Sequence, residues 1–441
     1  MTLTTSRGRR RLRRLATRLT AVVTAVAALS LTGCGSDTGT PTLTWYINPD
    51  DGGQETIAQK CTDASGGKYR IKTSLLPSDA PGQREQLIRR LASHDSSIDI
   101  MSLDPVFVAE MAQADYLAPV PAQYEQEFTE GVNEASVDSS TRQDQLVAAP
   151  FWANTQLLWY RKSVAKEAGL DMSKPVTWDQ VIAAAQQSDR LLGAQGIRAE
   201  SLTVWVNALV ESGGGHIVEN PDAERPEDVK LGLDSEAGKK AAKVVGTIGK
   251  EGLAGPTFSN LDENNTMLGF QGDDGGFMVN WPFVYAAMKK GAEEGTLDKS
   301  VLDDVGWALY PRVDADRAAA PPFGGIELGV GAFGEHQAES FEAVKCIRSK
   351  DNQIEYFLTD GNAPSLLAAF DDSRIREELP AAATIKQSLA MAKARPTTPY
   401  YNEVTGGVQK TWHPPQDVSP DSTPADSANY IYEVLRGERL L

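Results

Sequence analysis

LTWYINPDDGGQ, residues 43–54, is the stretch from which the fold is first read. Leu43-Thr44-Trp45-Tyr46-Ile47 is short, apolar and rich in aromatic and branched residues, as a buried strand requires. Asn48-Pro49-Asp50-Asp51-Gly52-Gly53 then closes it with turn formers. Residues 55–61 read as a helix, and residues 69–76 alternate as a second strand before a loop over 77–82. In residues 83–91 (QREQLIRRL), Leu87 and Leu91 stand at helical spacing. Residues 98–103 form a short apolar strand ending at Asp104-Pro105, and 106–114 is helical again. Strands alternating with helices at this pitch predict the α/β class with a mostly parallel sheet.

The alternation resumes after Pro150. Residues 155–160 (TQLLWY) and 276–280 (GFMVN) read as strands, the second running into Trp281-Pro282-Phe283. Residues 178–191, 202–211 and 236–250 read as helices, with Thr177 as the N-cap of the first. Residues 313–322 are polar or alanine-rich and break the pattern; a strand over 329–333 and a helix over 339–349 restore it. The tail after Ala363 is largely helical, with a proline-rich loop over 414–424.

Upstream of residue 43 the composition changes. Seven arginines (Arg7, Arg9, Arg10, Arg11, Arg13, Arg14, Arg18) precede an apolar run over residues 19–31, which ends in Leu31-Thr32-Gly33-Cys34. A basic region, a short apolar region and small residues before a cysteine read as a bacterial lipoprotein signal peptide. A membrane span needs roughly 20 apolar residues, more than this run supplies. Residues 1–33 are therefore expected to be removed and Cys34 to be acylated, leaving residues 34–42 as a lipid-anchored tether. The arginine pairs also suit twin-arginine export, so the export route stays open.

The chain carries a net charge of -17, and the seven arginines of the leader account for +7, so the mature chain stands at -24. So acidic a surface argues against nucleic acid and a bare anionic bilayer as partners. With Cys34 acylated, Cys61 and Cys346 remain. An even pair in an oxidising compartment suggests a disulfide, the alternative being two buried thiols. A disulfide would bring residues near 346 back to the first lobe, so the chain would cross more than once between two lobes and leave a hinged cleft. The four scattered histidines (His94, His216, His336, His413) offer no metal spacing, and no metal or cofactor is expected. The Asp-Asp-Gly-Gly pairs at 50–53 and 273–276 lack the ligand spacing of a calcium loop. There is no Gly-x-Ser-x-Gly, no His-Glu-x-x-His and no P-loop.

Open α/β sheets bind ligands beyond the carboxyl ends of their strands. Polar or aromatic residues stand at several such ends: Asn48, Asp50 and Asp51; Ser78 and Asp79; Asp104; Asn154 near Trp152; Asn280 and Trp281; and Arg395 and Tyr400-Tyr401 in a loop-like stretch. Carboxylates, amides, an arginine and flat aromatics are the mixture a sugar needs.

In order, LTWYINPDDGGQ (43–54), QREQLIRRL (83–91), NTQLLWYR (154–161), VNWPFV (279–284), FGGIELG (323–329) and RPTTPYY (395–401) resemble the extracellular solute-binding lipoproteins of ABC-type sugar importers, in the maltose-binding group. Within that group the sequence resembles the mycobacterial trehalose-binding lipoproteins and actinobacterial α-glucoside binders. The resemblance implies a two-lobe, periplasmic-binding-protein-like fold of type II with a ligand cleft between lobes joined by crossover hinges. It implies a first lobe from residues 43–150 and 317–362, and a second from 151–316 and 363–441. By motif position it implies ligand contacts at Asp104, Asn154, Trp281, Gly325 and Arg395, with Glu263 counted back from the Asn-Trp-Pro-Phe segment, and looser ones at Asn48, Asp50 and Gln83. A Cys61–Cys346 disulfide matches the likeness. Glu327 departs from it, since relatives more often carry a neutral residue there.

The expected function is a non-enzymatic, monomeric receptor on the outer face of the cell membrane. It would hand an α-linked disaccharide, trehalose-like or maltose-like, to the permease subunits of an ABC importer. The alternatives are a secreted glycosidase, or a receptor for a peptide or glycerol phosphate.

Overall fold

The structure, a computed structural model, describes residues 39–441. The leader, Cys34 and most of the tether lie outside the described residues. The described chain opens with β1 (Thr42–Ile47), β2 (Arg70–Leu75) and β3 (Ile100–Leu103). A short hairpin, β4 (Thr141–Arg142) and β5 (Gln145–Leu146), precedes β6 (Ala149–Thr155) and β7 (Leu157–Arg161). Then come β8 (Leu191–Gly193), β9 (Gly275–Asn280), β10 (Val305–Ala308) and β11 (Phe323–Val330). Apart from the hairpin they pair into two sheets, in the orders β2-β1-β3-β11-β6 and β10-β7-β9-β8.

These sheets are mixed, which corrects the expectation of mostly parallel pairing. β1 is parallel to β2 and β3, and β8 to β9. β11, however, is antiparallel to β3 and β6, and β7 is antiparallel to β9 and β10. A strand that enters from the other sheet makes no βαβ crossover, so the parallel rule for such crossovers does not bind it.

The chain passes between the sheets at Gln156. Thr155 pairs with Phe323 in the first sheet, while Leu157 pairs with Asn280 in the second. The strand expected over residues 155–160 is thus the junction of two strands, and pairing in the first sheet persists past the boundary expected at 151. A second passage leads from β10 back to β11. A third segment lies beside it: Phe323 N donates to Lys393 O and Lys393 N donates to Pro321 O, each at 2.9 Å.

Each sheet is buried on both faces, and strand alternation sends neighbouring residues to opposite layers. Trp45 joins the cluster of Leu43, Ile57, Phe151 and Val344, while Tyr46 joins that of Leu87, Met101 and Val106. In the second sheet Leu158 and Val279 face one layer, and Trp159 and Met278 the other. Fully burying each such side chain contributes about 1.5–3 kcal/mol.

Helix starts follow local chemistry. Thr177 and Gln180 form a reciprocal capping box ahead of the helix Trp178–Ser188. Asp50, by contrast, serves the start of the helix Gly53–Ala64: its carboxylate accepts from Gly52 N at 3.1 Å and from Gln54 N at 2.8 Å.

A disulfide joins Cys61 on that helix to Cys346 on the helix Gln337–Ile347, with Cα atoms 5.8 Å apart across 285 residues of sequence. Both helices pack on one face of the first sheet. Because the bridge closes so long a loop, replacing both cysteines with serine should lower unfolding stability by about 2–4 kcal/mol. Urea unfolding of the double variant measures this, and an unchanged midpoint would contradict it.

Candidate functional site

Between the two sheets lies a cleft of about 560 Å³ into which the polar strand ends converge. Asn48 follows β1. Asp104 follows β3 and caps the helix Pro105–Gln113, its Oδ1 accepting from Val106 N at 3.2 Å. Asn154 sits on β6 directly opposite Gly324 of β11. Trp281 follows β9, and Glu263 is the first residue of the helix Glu263–Gln271. Asn280 ties these two together: its Nδ2 donates to Glu263 O at 2.8 Å and its Oδ1 accepts from Trp281 N at 2.9 Å.

Eight of the nine expected contacts line this cleft: Asn48, Gln83, Asp104, Asn154, Glu263, Trp281, Gly325 and Arg395. Asp50 does not; its carboxylate is turned to the helix start described above. Sequence reasoning missed Glu200, Tyr356 and Asn362, which also line the cleft. Glu200 opens the helix Glu200–Ser212 without any side-chain cap signal before it, and Tyr356 belongs to the helix Lys350–Asp360. Neither stands at a strand end, so only the tertiary fold reveals them.

Two glycines form the floor. A Cβ on Gly324 would lie 3.1 Å from the Trp281 indole, so glycine lets that ring lie close over β11. Gly325 has φ +138°, and a Cβ there would stand 2.3 Å from the carbonyl oxygen of Trp152. The strand bulges just beyond, between Ile326 and Glu327.

The polar groups are arranged around Arg395, the one cation among the described residues that line the cleft. Its side chain is 5% exposed. Nη2 donates to Asp104 Oδ1 at 2.8 Å and Nη1 to Glu200 Oε1 at 2.6 Å. Burial opposes the charge, yet Asp104, Tyr401 and Glu200 outweigh it and hold the guanidinium pKa well above its ordinary value. Arg395 Nε, Asn48 Oδ1 and Trp152 Nε1 are buried without a hydrogen-bond partner. Such orphaned atoms are uncommon in folded proteins, and here three belong to residues of one cleft. Another cavity, about 480 Å³ beside Cys346, is lined by lysines and glutamates and carries no indole. Among the described residues no cluster of three His, Cys, Asp or Glu side chains is placed to hold a metal.

Glycoside hydrolysis needs two working carboxylates across one bond. Asp104 and Glu200 are engaged by Arg395, which leaves Glu263 as the lining carboxylate free of that pairing.

Residues 60–354 match the family model described as bacterial extracellular solute-binding protein. The chain belongs to this family. It is a binding protein and not an enzyme. A "Probable ABC transporter-binding protein" of Deinococcus radiodurans is 23% identical over 352 residues, covering 76% of this chain and 79% of that one. Among solved structures, the maltose-bound MalE3 of T. maritima superposes with a TM-score of 0.72 at 20% identity, over 90% of this chain and 100% of that one. The GacH receptor of Streptomyces glaucescens, solved unliganded and with acarbose, gives 0.73 at 19% identity over 91% and 100%. The sugar-binding protein MalE of Xanthomonas citri gives 0.75 at 17% over 90% and 98%. The fold of this solute-binding protein is thus the α/β periplasmic-binding-protein fold. Among its described residues no helix is long and apolar enough to cross a membrane.

Glu327, the departure noted in the sequence, does not line the cleft of this solute-binding protein. It is fully buried on β11, where Ser139 Oγ donates to Oε1 at 2.9 Å and Ser140 Oγ to Oε2 at 2.7 Å. Burial pushes its pKa up to about 8, against the smaller opposing effects of the two serines and Arg348. An acid whose folded pKa is raised confers full stability below its unfolded pKa and loses it as pH rises through the folded value. Between pH 4.5 and about 8 the protein should therefore lose roughly 3–5 kcal/mol on this account. Glu327→Gln, whose amide the serine hydroxyls can satisfy by reversing one donor, should flatten that slope and be the more stable form at pH 8. Denaturant unfolding of both proteins across this range checks the prediction; parallel profiles would refute it.

Proposed function

We propose that this protein is the receptor of an ABC-type sugar importer, and that it captures an α-linked disaccharide of the trehalose or maltose kind in the cleft between its sheets. The observation that carries the reading is the Trp281 indole held close over Gly324 in a cleft that is also lined by the amides of Asn48, Gln83 and Asn154 and the carboxylates of Asp104, Glu200 and Glu263. An indole face covers the apolar side of a sugar ring, while amides and carboxylates take its hydroxyls. The maltose and acarbose bound by the T. maritima and S. glaucescens proteins, and the transporter named for the D. radiodurans relative, support the same direction. The preference for trehalose-like or maltose-like sugars rests on the resemblance set out from the sequence.

The membrane attachment belongs to the same proposal. Acylation of Cys34 tethers the receptor to the outer face, where a short polar linker raises its local concentration at the permease. The working unit is a monomer that contacts the bilayer through its lipid.

Calorimetric titration of a soluble form starting at Gly35 with trehalose, maltose, sucrose and longer glucosides tests the reading. At least one α-linked disaccharide should release or absorb heat on binding and raise the melting temperature. Trp281→Ala should weaken that sugar by about 1–2 kcal/mol, roughly 5–30-fold, through lost apolar burial. No heat and no thermal stabilisation with any sugar would remove the proposal.

A further inference from the structure

Glu200 is not at a strand end and carries no motif, yet it has the densest set of polar contacts in the cleft. Its Oε1 accepts from Arg395 Nη1 at 2.6 Å and from the Tyr401 hydroxyl. Its Oε2 accepts from Thr405 Oγ1 at 2.8 Å and from Gln409 Nε2 at 3.5 Å. These partners fix the carboxylate from the helix Tyr401–Thr411 while it holds one end of the guanidinium. Asp104 holds the other end, and its own Oδ1 is fixed by the backbone at Val106. One carboxylate therefore reaches Arg395 from the end of β3 and one from the start of the helix Glu200–Ser212.

Two consequences follow from this geometry. Each terminal nitrogen of Arg395 gives an N–H to a carboxylate, so the guanidinium charge is already paired on both sides. The group also carries two negative charges against one positive, with Glu263 a further acid on the wall. An anion entering this cleft meets no unpaired cation among the described residues that line it and must be desolvated beside carboxylates, which is strongly unfavourable. A neutral hydroxyl needs only an aligned donor or acceptor.

We propose that Glu200 is a specificity-determining positioning residue. With Asp104 it pairs Arg395 on both sides, so that a phosphorylated or acidic sugar meets no unpaired cation among the described residues of the cleft, while a neutral sugar meets no such penalty. The inference rests on the saccharide reading of the cleft, and it adds a charge class to that reading.

The test uses the full-length protein in detergent, with trehalose, maltose and their 6-phosphates as probes. The wild type should bind a neutral sugar at least about 100-fold more tightly than its phosphate, as expected when like charges are juxtaposed. Glu200→Gln keeps the side chain's shape and an acceptor oxygen but removes the charge. It should weaken the neutral sugar by about tenfold and strengthen the phosphate, cutting the preference to less than about tenfold. Phosphate binding by this variant should also fall with added salt. Glu200→Asp keeps the charge and should weaken the neutral sugar while retaining the preference.

A purely structural role, or a steric barrier to phosphate, would leave the ratio unchanged in Glu200→Gln and overturn the proposal. So would a wild type that binds the phosphate as tightly as the neutral sugar, a result that does not depend on any variant folding. Either outcome leaves the saccharide reading standing. A wild type that binds none of these probes overturns this proposal, and the saccharide reading falls with it only if sucrose and longer glucosides also fail to bind.

Discussion

The antiparallel insertion of β11 between β3 and β6 is the constraint from which the rest of the architecture follows. A late segment of the chain has to travel from the second sheet back to the centre of the first. That return requires a second passage beside the one at Gln156, and the third segment near Lys393 is hydrogen-bonded to it. The passages and the cleft are therefore parts of one topological fact. β11 also carries the cleft floor at Gly324 and Gly325, and the buried carboxyl of Glu327 two residues further on. The helix that follows β11 carries Cys346, so the disulfide fastens the returned segment to the helix after β1.

The cleft is stable without a ligand because its most costly group is already satisfied. A buried guanidinium left unpaired would be strongly destabilising, and Asp104 and Glu200 prevent that. What remains unmet is small and specific: two donors and an acceptor, at Arg395, Trp152 and Asn48. Each unmade bond at a buried polar group costs about 1–3 kcal/mol. These atoms are shut away from solvent, so a ligand recovers this energy only where its binding moves the side chains that cover them. Apolar burial against Trp281 adds affinity with little discrimination; the polar atoms supply the selectivity.

How much of this was legible in the sequence depends on where a residue's partners lie. Asn48, Asp104 and Trp281 were readable because strand ends are where an α/β sheet presents its ligands, and turn formers mark those ends. Arg395 was marked by its loop-like stretch and again by the resemblance, whereas Gly325 came from the resemblance alone, since nothing local distinguishes it. Asp50 misled because a helix-capping aspartate looks the same in sequence as a cleft aspartate. The strand was placed at 329–333 rather than at 323–330, and Gly324-Gly325, with low strand propensity, hides its first half; the glycines are there for the close approach of Trp281 and the Trp152 carbonyl. Glu200 was invisible because its contacts come from residues about 200 positions later. The mixed character of the sheets was hidden for the same reason, since long returns leave no local trace.

The central claim is that a sugar sits on the Gly324–Gly325 floor against Trp281, with its polar contacts drawn from both sheets. A crystal structure of the protein with its bound sugar tests this most directly. The account predicts a ring packed on the Trp281 indole and hydroxyls bonded to polar groups that line the cleft from both sheets, with Asp104 and Glu200 still holding the guanidinium. A sugar bound elsewhere, or one seated in the cleft with Arg395 swung away from both carboxylates, would contradict it.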